Sequence, residues 1–221
     1  MASNTIIAPS ILSADQTRLA DAIHAVAKAG CKLVHVDVMD GHFVDNITIG
    51  PGVVADIVKT SKEAGIKVDV HLMIDDPIRH LQKFIDAGPE YLTIHQEATV
   101  HHHKALSMIK DAGIKAGIAI NPSTTLITLE EVIQLMDLLI IMTVNPGWGG
   151  QSYIEMMEDK IQMAREFVDA ENPECKIMVD GGVDSKNAKT LRKMGVDILV
   201  AGNSVFKGKG SIEENIKALL G

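Results

Sequence analysis

Four ionisable residues on short apolar stretches carry the first chemical signal. In LVHVDVMDGHF, residues 33–43, Val34, Val36 and Val38 alternate with His35, Asp37 and Met39. In an extended chain the valines take one face, and an imidazole, a carboxylate and a thioether take the other. DVHLM (69–73) sets His71 and Met73 on one face at the same spacing, and KIMVD (176–180) ends in Asp180. Taken singly, each has an ordinary reading: a His or Asp near a strand end serves as a cap or a hydrogen-bonded structural group, and a Met packs in the core. Taken together they do not, because burying two carboxylates without a cation costs on the order of several kcal/mol in desolvation. A divalent metal removes that cost. Imidazole nitrogens and carboxylate oxygens suit Zn²⁺, Fe²⁺, Mn²⁺ or Co²⁺ without choosing among them.

The elements that must position these residues are legible from periodicity. Eight short apolar runs recur: IIAPS (6–10), LVHVDVM (33–39), KVDVHLM (67–73), YLTIH (91–95), KAGIAI (115–120), LLIIMTV (138–144), KIMVD (176–180) and DILVAG (197–202). Between them lie helical patterns such as QTRLADAIHAVAKAG, PIRHLQKFIDAG, HKALSMIKDAG and SYIEMMEDKIQMAREFVDA. Gly30, Gly65, Gly88, Gly113 and Gly195 sit where a left-handed cap ends a helix before the next strand. Eight strands, each followed by a helix through short connections, predict a parallel sheet closed into a (β/α)8 TIM barrel, one domain over residues 1–221. An open doubly wound sheet is the lesser alternative, since no G-x-G-x-x-G follows the first strand.

Chemistry in such a barrel sits at the C-terminal ends of the strands. That filter gathers Ser10, His35, Asp37, His71 and Asp180 at one mouth, with Met39, Met73 and Met142 beside them. A second, glycine-rich set lies at the same end: Gly147, Gly149 and Gly150 in NPGWGGQ after the sixth strand, Gly181 and Gly182 after the seventh, and Gly202 with Asn203 after the eighth. Any one pair makes a tight turn and nothing more. Three in succession predict a phosphate site built from backbone N–H groups.

The net charge of −8 argues against nucleic acid or an anionic membrane as partner, while a phosphate bound by amides is compatible with it. The N-terminus MASNTIIAPS lacks the regions of a signal peptide and no apolar run is long enough to cross a bilayer, so a cytoplasmic protein is expected. Cys31 and Cys175 have no metal-type spacing and are expected as free thiols near the opposite barrel face. His101, His102 and His103 read as a solvated helix start.

IAPSILSAD, HVDVMDGHF, DVHLM, IMTVNPGWGGQ, VDGGV and VAGNSVF, in this order along nearly the whole chain, resemble the ribulose-phosphate 3-epimerases. The resemblance implies a divalent metal, zinc first among the four ions, held by His35, Asp37, His71 and Asp180. It implies an isomerase of the pentose phosphate pathway interconverting ribulose 5-phosphate and xylulose 5-phosphate through a cis-enediolate, with Asp37 and Asp180 as acid and base on opposite faces of C3. It further assigns Ser10 and His71 to the substrate near the metal, Met39, Met73 and Met142 to packing around the intermediate, and Gly147, Trp148, Gly149, Gly150, Gly181, Gly182, Gly202 and Asn203 to the phosphate. Similar proteins form homo-oligomers, dimers or hexamers.

Three positions depart from the family's commonest pattern: Trp148 for phenylalanine, Asn203 for serine and Asp45 for proline. Trp148 and Asn203 lie where substrate length is sensed, so allulose 6-phosphate 3-epimerisation is the nearest alternative. A non-catalytic sugar-phosphate-binding protein is the more distant one. The decarboxylase and hexulose-phosphate synthase group, similar in its phosphate loops, uses D-x-K-x-x-D on a strand. Here the run from Asp37 is DVMDGH, and the lysine is missing.

Overall fold

The computed structural model describes residues 5–221; residues 1–4 of the N-terminal stretch considered above for a targeting signal lie outside it. Strands β1 (Ile6–Pro9), β2 (Leu33–Met39), β3 (Lys67–Met73), β4 (Tyr91–His95), β5 (Lys115–Ile120), β6 (Leu138–Met142), β7 (Lys176–Asp180) and β8 (Ile198–Ala201) form one parallel sheet. From β2 to β8 each strand pairs with its neighbours in chain order, and β8 pairs with β1. The remaining seam, between β1 and β2, is joined by a single parallel bridge from Ser10 to His35. The sheet is therefore rolled into the expected (β/α)8 TIM barrel. Ser10 and the β2 site residues are consequently neighbours across the closure.

Helices α1 (Leu19–Lys28), α2 (Pro51–Glu63), α3 (Ile78–Ala87), α4 (His102–Asp111), α5 (Met157–Glu171), α6 (Ala188–Lys193), α7 (Asn203–Phe206) and α8 (Ile212–Leu220) cover the outside. They pack on the outward side chains of the strands, among them Val34, Val36 and Val38, all buried with Ile23 and Val26 of α1 in the main apolar core. Burying each such valine contributes roughly 1.5–3 kcal/mol, which makes the register of β2 costly to slip. Gly88 ends α3 at φ 71°, ψ 46°, the left-handed cap foreseen there.

One expectation fails. No α-helix follows β5; two short 3-10 turns, Leu126–Leu129 and Ile133–Leu135, connect it to β6. The intervening sequence, NPSTTLITLEEVIQLMD, has Pro122 as its second residue and is dense in threonine and other β-branched residues, which disfavour a helix interior. Helix α5 also begins at Met157, leaving residues 152–156 of the expected helix as part of the loop below.

Inside the barrel an apolar plug of Ala8, Leu33, Tyr91, Ala119, Leu138, Ile140, Met178 and Ile198 reaches up to Met142, Val144 and Val200 at the cavity wall. Gly117 on β5 is glycine by necessity, because a Cβ there would collide with Thr93 Oγ1 on the neighbouring strand. Above the plug, toward the C-terminal ends of the strands, the inward positions turn polar. Among the described residues no helix is long and apolar enough to cross a membrane.

Candidate active site and metal centre

The inward positions of β2 and β3 are in register, His35 opposite Asp69 and Asp37 opposite His71, so two adjacent strands deliver two histidines and two carboxylates to one buried layer. Asp180 at the end of β7 completes the layer. One potential ligand atom from each of His35, Asp37, His71 and Asp180 lies within 4.8 Å of the other three. These are the four residues expected from the sequence, and the structure brings them together.

The hydrogen bonding orients each imidazole. His35 Nδ1 donates to Asp69 Oδ2 at 2.6 Å, which turns Nε2 toward Asp37 Oδ1 (3.2 Å) and Asp180 Oδ2 (3.7 Å). His71 Nε2 is bonded to His95 Nε2 at 2.8 Å. Its Nδ1 therefore faces the cluster, 3.5 Å from Asp180 Oδ2 and 3.6 Å from Asp37 Oδ1. Those distances are too long for a proper hydrogen bond, and Nδ1 is a buried polar atom without a partner. A ring nitrogen aimed from full burial at two carboxylates, with no hydrogen-bond partner, is what a divalent cation satisfies. The four residues fit that group.

Electrostatics point the same way. Burial opposes charge on His35, yet the carboxylates of Asp37 and Asp69 outweigh it and hold its pKa well above the usual histidine value. For His71 burial is likewise overcome, by Asp180 and Asp37, and its pKa is raised. Asp37 is buried too, but His35 and His71 keep its carboxyl well below the usual range. Without a cation the layer recruits protons as counter-charge; a metal would take their place.

Sequence reasoning missed Asp69, His95 and Glu97. Asp69 was readable by parity, being two residues before His71 on the same strand face. His95 ends β4 and is fully buried; burial pushes its pKa down to about 4. Glu97 accepts from His95 Nδ1 (3.1 Å), from the Asn121 N–H (2.9 Å) and from the Thr124 hydroxyl. Burial would raise its pKa, but those bonds prevail and hold it at about 2. Nothing in the spacing of Glu97, just beyond a strand, marks it.

Above the cluster opens a cavity of about 410 Å³. Its walls contain Ser10, Asp37, Met39, Met73, Met142, Asp180 and the residues expected from the glycine-rich set, Gly147, Trp148, Gly149, Gly150, Gly181, Gly182, Gly202 and Asn203. His35 and His71 are fully buried behind Asp37 and Asp180 and do not themselves line the cavity. Met39, Met73 and Met142 are buried and form an apolar collar beside the carboxylates. No lysine or arginine is among the lining residues. Anion binding at this mouth would rest on backbone N–H groups. Gly182, at φ 66°, has no room for a side chain, since a Cβ would come within 2.5 Å of the Tyr153 backbone nitrogen. That close approach stitches the loop after β7 to the loop after β6.

The remaining expectations fall outside the cluster. His101 and His103 are exposed and His102 Nε2 bonds the Gln96 carbonyl at 2.7 Å, at the start of α4. Cys31 and Cys175 are buried free thiols, with pKa values raised by burial to about 11 and about 12.

Comparison with known proteins agrees with this geometry. The sequence model of the "Ribulose-phosphate 3 epimerase family" matches residues 6–206. The ribulose-phosphate 3-epimerase of Rhodobacter capsulatus is 45% identical over 206 residues, covering 93% of this chain and 87% of that protein. The chloroplastic ribulose-5-phosphate-3-epimerase of Arabidopsis thaliana is 44% identical over 220 residues, covering 98% of this chain and 77% of that protein. Among solved structures, the 3-hexulose-6-phosphate synthase of Salmonella typhimurium superposes with a TM-score of 0.70 at 15% identity, over 98% of this chain and 97% of that one. At that identity the likeness concerns the fold alone.

Proposed function

The chain belongs to the ribulose-phosphate 3-epimerase family and is an epimerase of sugar-phosphate metabolism; we propose that it inverts C3 of D-ribulose 5-phosphate to give D-xylulose 5-phosphate by two-base proton transfer. The observation that carries this reading is the pair Asp37 and Asp180. They reach one cavity from β2 and β7, strands separated by β1 and β8, with His71 Nδ1 between them.

A ketose C3 placed over the cluster has one carboxylate on each side. One aspartate takes the C3 proton, leaving a planar cis-enediolate, and the other delivers a proton to the opposite face. His35, Asp37, His71 and Asp180 would hold a divalent ion, zinc by preference, and that ion supplies Lewis-acid stabilisation of the negative charge developing on the substrate oxygens. Ser10 holds Asp37 and is within reach of a substrate oxygen. Met39, Met73 and Met142 keep protic groups and water off the planar carbon, so that it is reprotonated only by an aspartate. The loops containing Gly147–Gly150, Gly181–Gly182 and Gly202–Asn203 bind the phosphate and so fix C3 over the carboxylates.

The test is Asp180→Asn in deuterated buffer, with metal content measured alongside. Inversion is expected to fall by about 10²–10⁴-fold, the usual contribution of general acid–base catalysis. The remaining base should still exchange the C3 proton of one epimer and not the other. Inversion at near wild-type rate would remove Asp180 from the mechanism. Turnover on ribulose 5-phosphate against allulose 6-phosphate decides the substrate. Residues 1–221 act here as one catalytic domain, in the cytoplasm and as a homo-oligomer, dimer or hexamer. Ile47, Val100 and Ile127, strongly exposed on loops after β2, β4 and β5, are apolar surface such an assembly would cover.

A further inference from the structure

We infer that His95 and Glu97 are positioning residues that fix the tautomer of His71 and thereby make its Nδ1, rather than its Nε2, the metal-binding atom; this rests on reading the four-residue cluster as a metal centre. The argument begins with proton counting. His71 Nε2 and His95 Nε2 are 2.8 Å apart and their ring planes differ by only 20°, a contact that needs one proton between the two nitrogens. Two donors cannot face each other, and two lone pairs would repel.

The far side of His95 says which ring supplies the proton. His95 Nδ1 faces Glu97 Oε2 at 3.1 Å, and Glu97 Oε1 is occupied by the Asn121 N–H and the Thr124 hydroxyl. A carboxylate with those donors is an acceptor, so His95 Nδ1 carries a proton and donates it. If His95 Nε2 carried a second proton, His71 Nε2 would have to accept, and the proton of neutral His71 would sit on Nδ1, blocking the lone pair aimed at the cluster. With His95 neutral, His71 donates from Nε2 and its Nδ1 is free. Only the second arrangement leaves a ligand.

Glu97 is itself held. Lys160 on α5 donates to the carbonyls of Asn121 (3.2 Å), Pro122 (2.5 Å) and Thr124 (2.7 Å), pinning the helix-free segment after β5 whose N–H and hydroxyl orient the Glu97 carboxylate. A chain of contacts thus runs from the outer helix layer to the cluster: Lys160, the 121–124 backbone, Glu97, His95, His71. His35 is oriented more directly, by Asp69 alone, and offers the opposite nitrogen, Nε2. The two histidines would therefore bind through different atoms. Groups behind metal-binding histidines typically change metal affinity by about 10–100-fold when removed.

The experiment has two arms on the full-length protein. Long-range ¹H–¹⁵N correlation spectra of the zinc-loaded wild type should show His71 protonated at Nε2 and His95 at Nδ1, and His35 protonated at Nδ1. Zinc titrations of His95→Leu and His95→Gln supply the second arm. The leucine variant should bind zinc about 10–100-fold more weakly, and glutamine, whose amide oxygen can stand where Nε2 stood, should recover most of the loss. A proton on His71 Nδ1, or zinc affinity in His95→Leu equal to wild type, overturns the inference while leaving the metal reading intact. If the wild type binds no zinc, Fe²⁺, Mn²⁺ or Co²⁺, the metal reading fails and the inference with it. Should the leucine variant not fold, the spectra of the wild type still decide.

Discussion

Ser10 Oγ donates a 2.6 Å hydrogen bond to Asp37 Oδ2 across the seam where β1 meets β2. Both groups are buried, and the same seam is joined by the Ser10–His35 bridge. Barrel closure and orientation of the Asp37 carboxylate are thus one structural event. With Oδ2 tied to the hydroxyl, Oδ1 is left toward His35 Nε2 and His71 Nδ1.

Ser10→Ala should therefore impair chemistry more than folding. Hydrogen bonds to a charged group contribute ~1.5–3 kcal/mol, so kcat/KM is expected to fall by about 10–100-fold, with zinc still bound. Steady-state kinetics and a zinc assay check it. A variant with unchanged kcat/KM would mean that the hydroxyl does not set the position of Asp37.

Asp69 makes the corresponding prediction for His35. Its Oδ2 receives Nδ1 at 2.6 Å, while Oδ1 is buried without a partner, so the carboxylate is there for the imidazole alone. Asp69→Leu removes a buried charge and a carboxylate–imidazole contact together. Zinc affinity should drop by about 10–100-fold, with the metal-free fold no less stable than a few kcal/mol below wild type. Competition against a chromophoric chelator measures the first, and thermal melting of the metal-free protein the second.

The difference between Asp69 and Glu97 describes what the sequence can and cannot carry. Two-residue periodicity put His35 with Asp37 and His71 with Met73 on single strand faces, and eight apolar runs with glycine stops gave the barrel, because both patterns are local. Asp69 obeys the same parity and was open to the same logic. Glu97 has its role only through His95, Asn121 and Thr124, partners 2, 24 and 27 residues away that the topology brings together. The missing helix after β5 was harder to foresee for a related reason. The alternation of the barrel argues for a helix there, while the local composition, NPSTTLIT, argues against one, and the local preference prevails.

Metal binding should be proton-linked. In the metal-free layer the carboxylates of Asp37 and Asp69 outweigh burial and raise the pKa of His35 well above the usual histidine value, which favours the protonated ring, and a metal competes with that proton. The sign follows directly. A raised folded-state pKa stabilises the metal-free protein below about pH 6.5 and that contribution is lost as pH rises through the raised value, whereas metal affinity increases over the same span. Calorimetric zinc titrations at pH 7 in two buffers of unequal ionisation enthalpy should show net proton release on binding, from His35 and, to the extent that it is protonated, from His71. Proton uptake, or none, would contradict the assignment of His35.

Trp148 offers a direct test of the phosphate loop because the chain has only one tryptophan. It lines the cavity mouth and is 56% exposed. Its carbonyl is tied down by Gln151 Nε2 at 3.0 Å, and the same amide also holds the Asn145 carbonyl at 2.6 Å, so the turn is braced from within. A phosphate gathered by the N–H groups of Gly147–Gly150 would sit beside a braced backbone, and the part free to respond is the exposed indole. Ribulose 5-phosphate should therefore produce a saturable change in tryptophan emission, and inorganic phosphate a similar one at higher concentration, since it lacks the contacts to the cluster. Asp180→Asn should keep this response, because the proposed mechanism puts Asp180 at the reacting end of the sugar and not at its phosphate. An emission spectrum unchanged at saturating ribulose 5-phosphate would move the phosphate away from this loop. A response to ribulose 5-phosphate with none to phosphate at any concentration would assign the change to the sugar instead, and place Trp148 over the carbon chain.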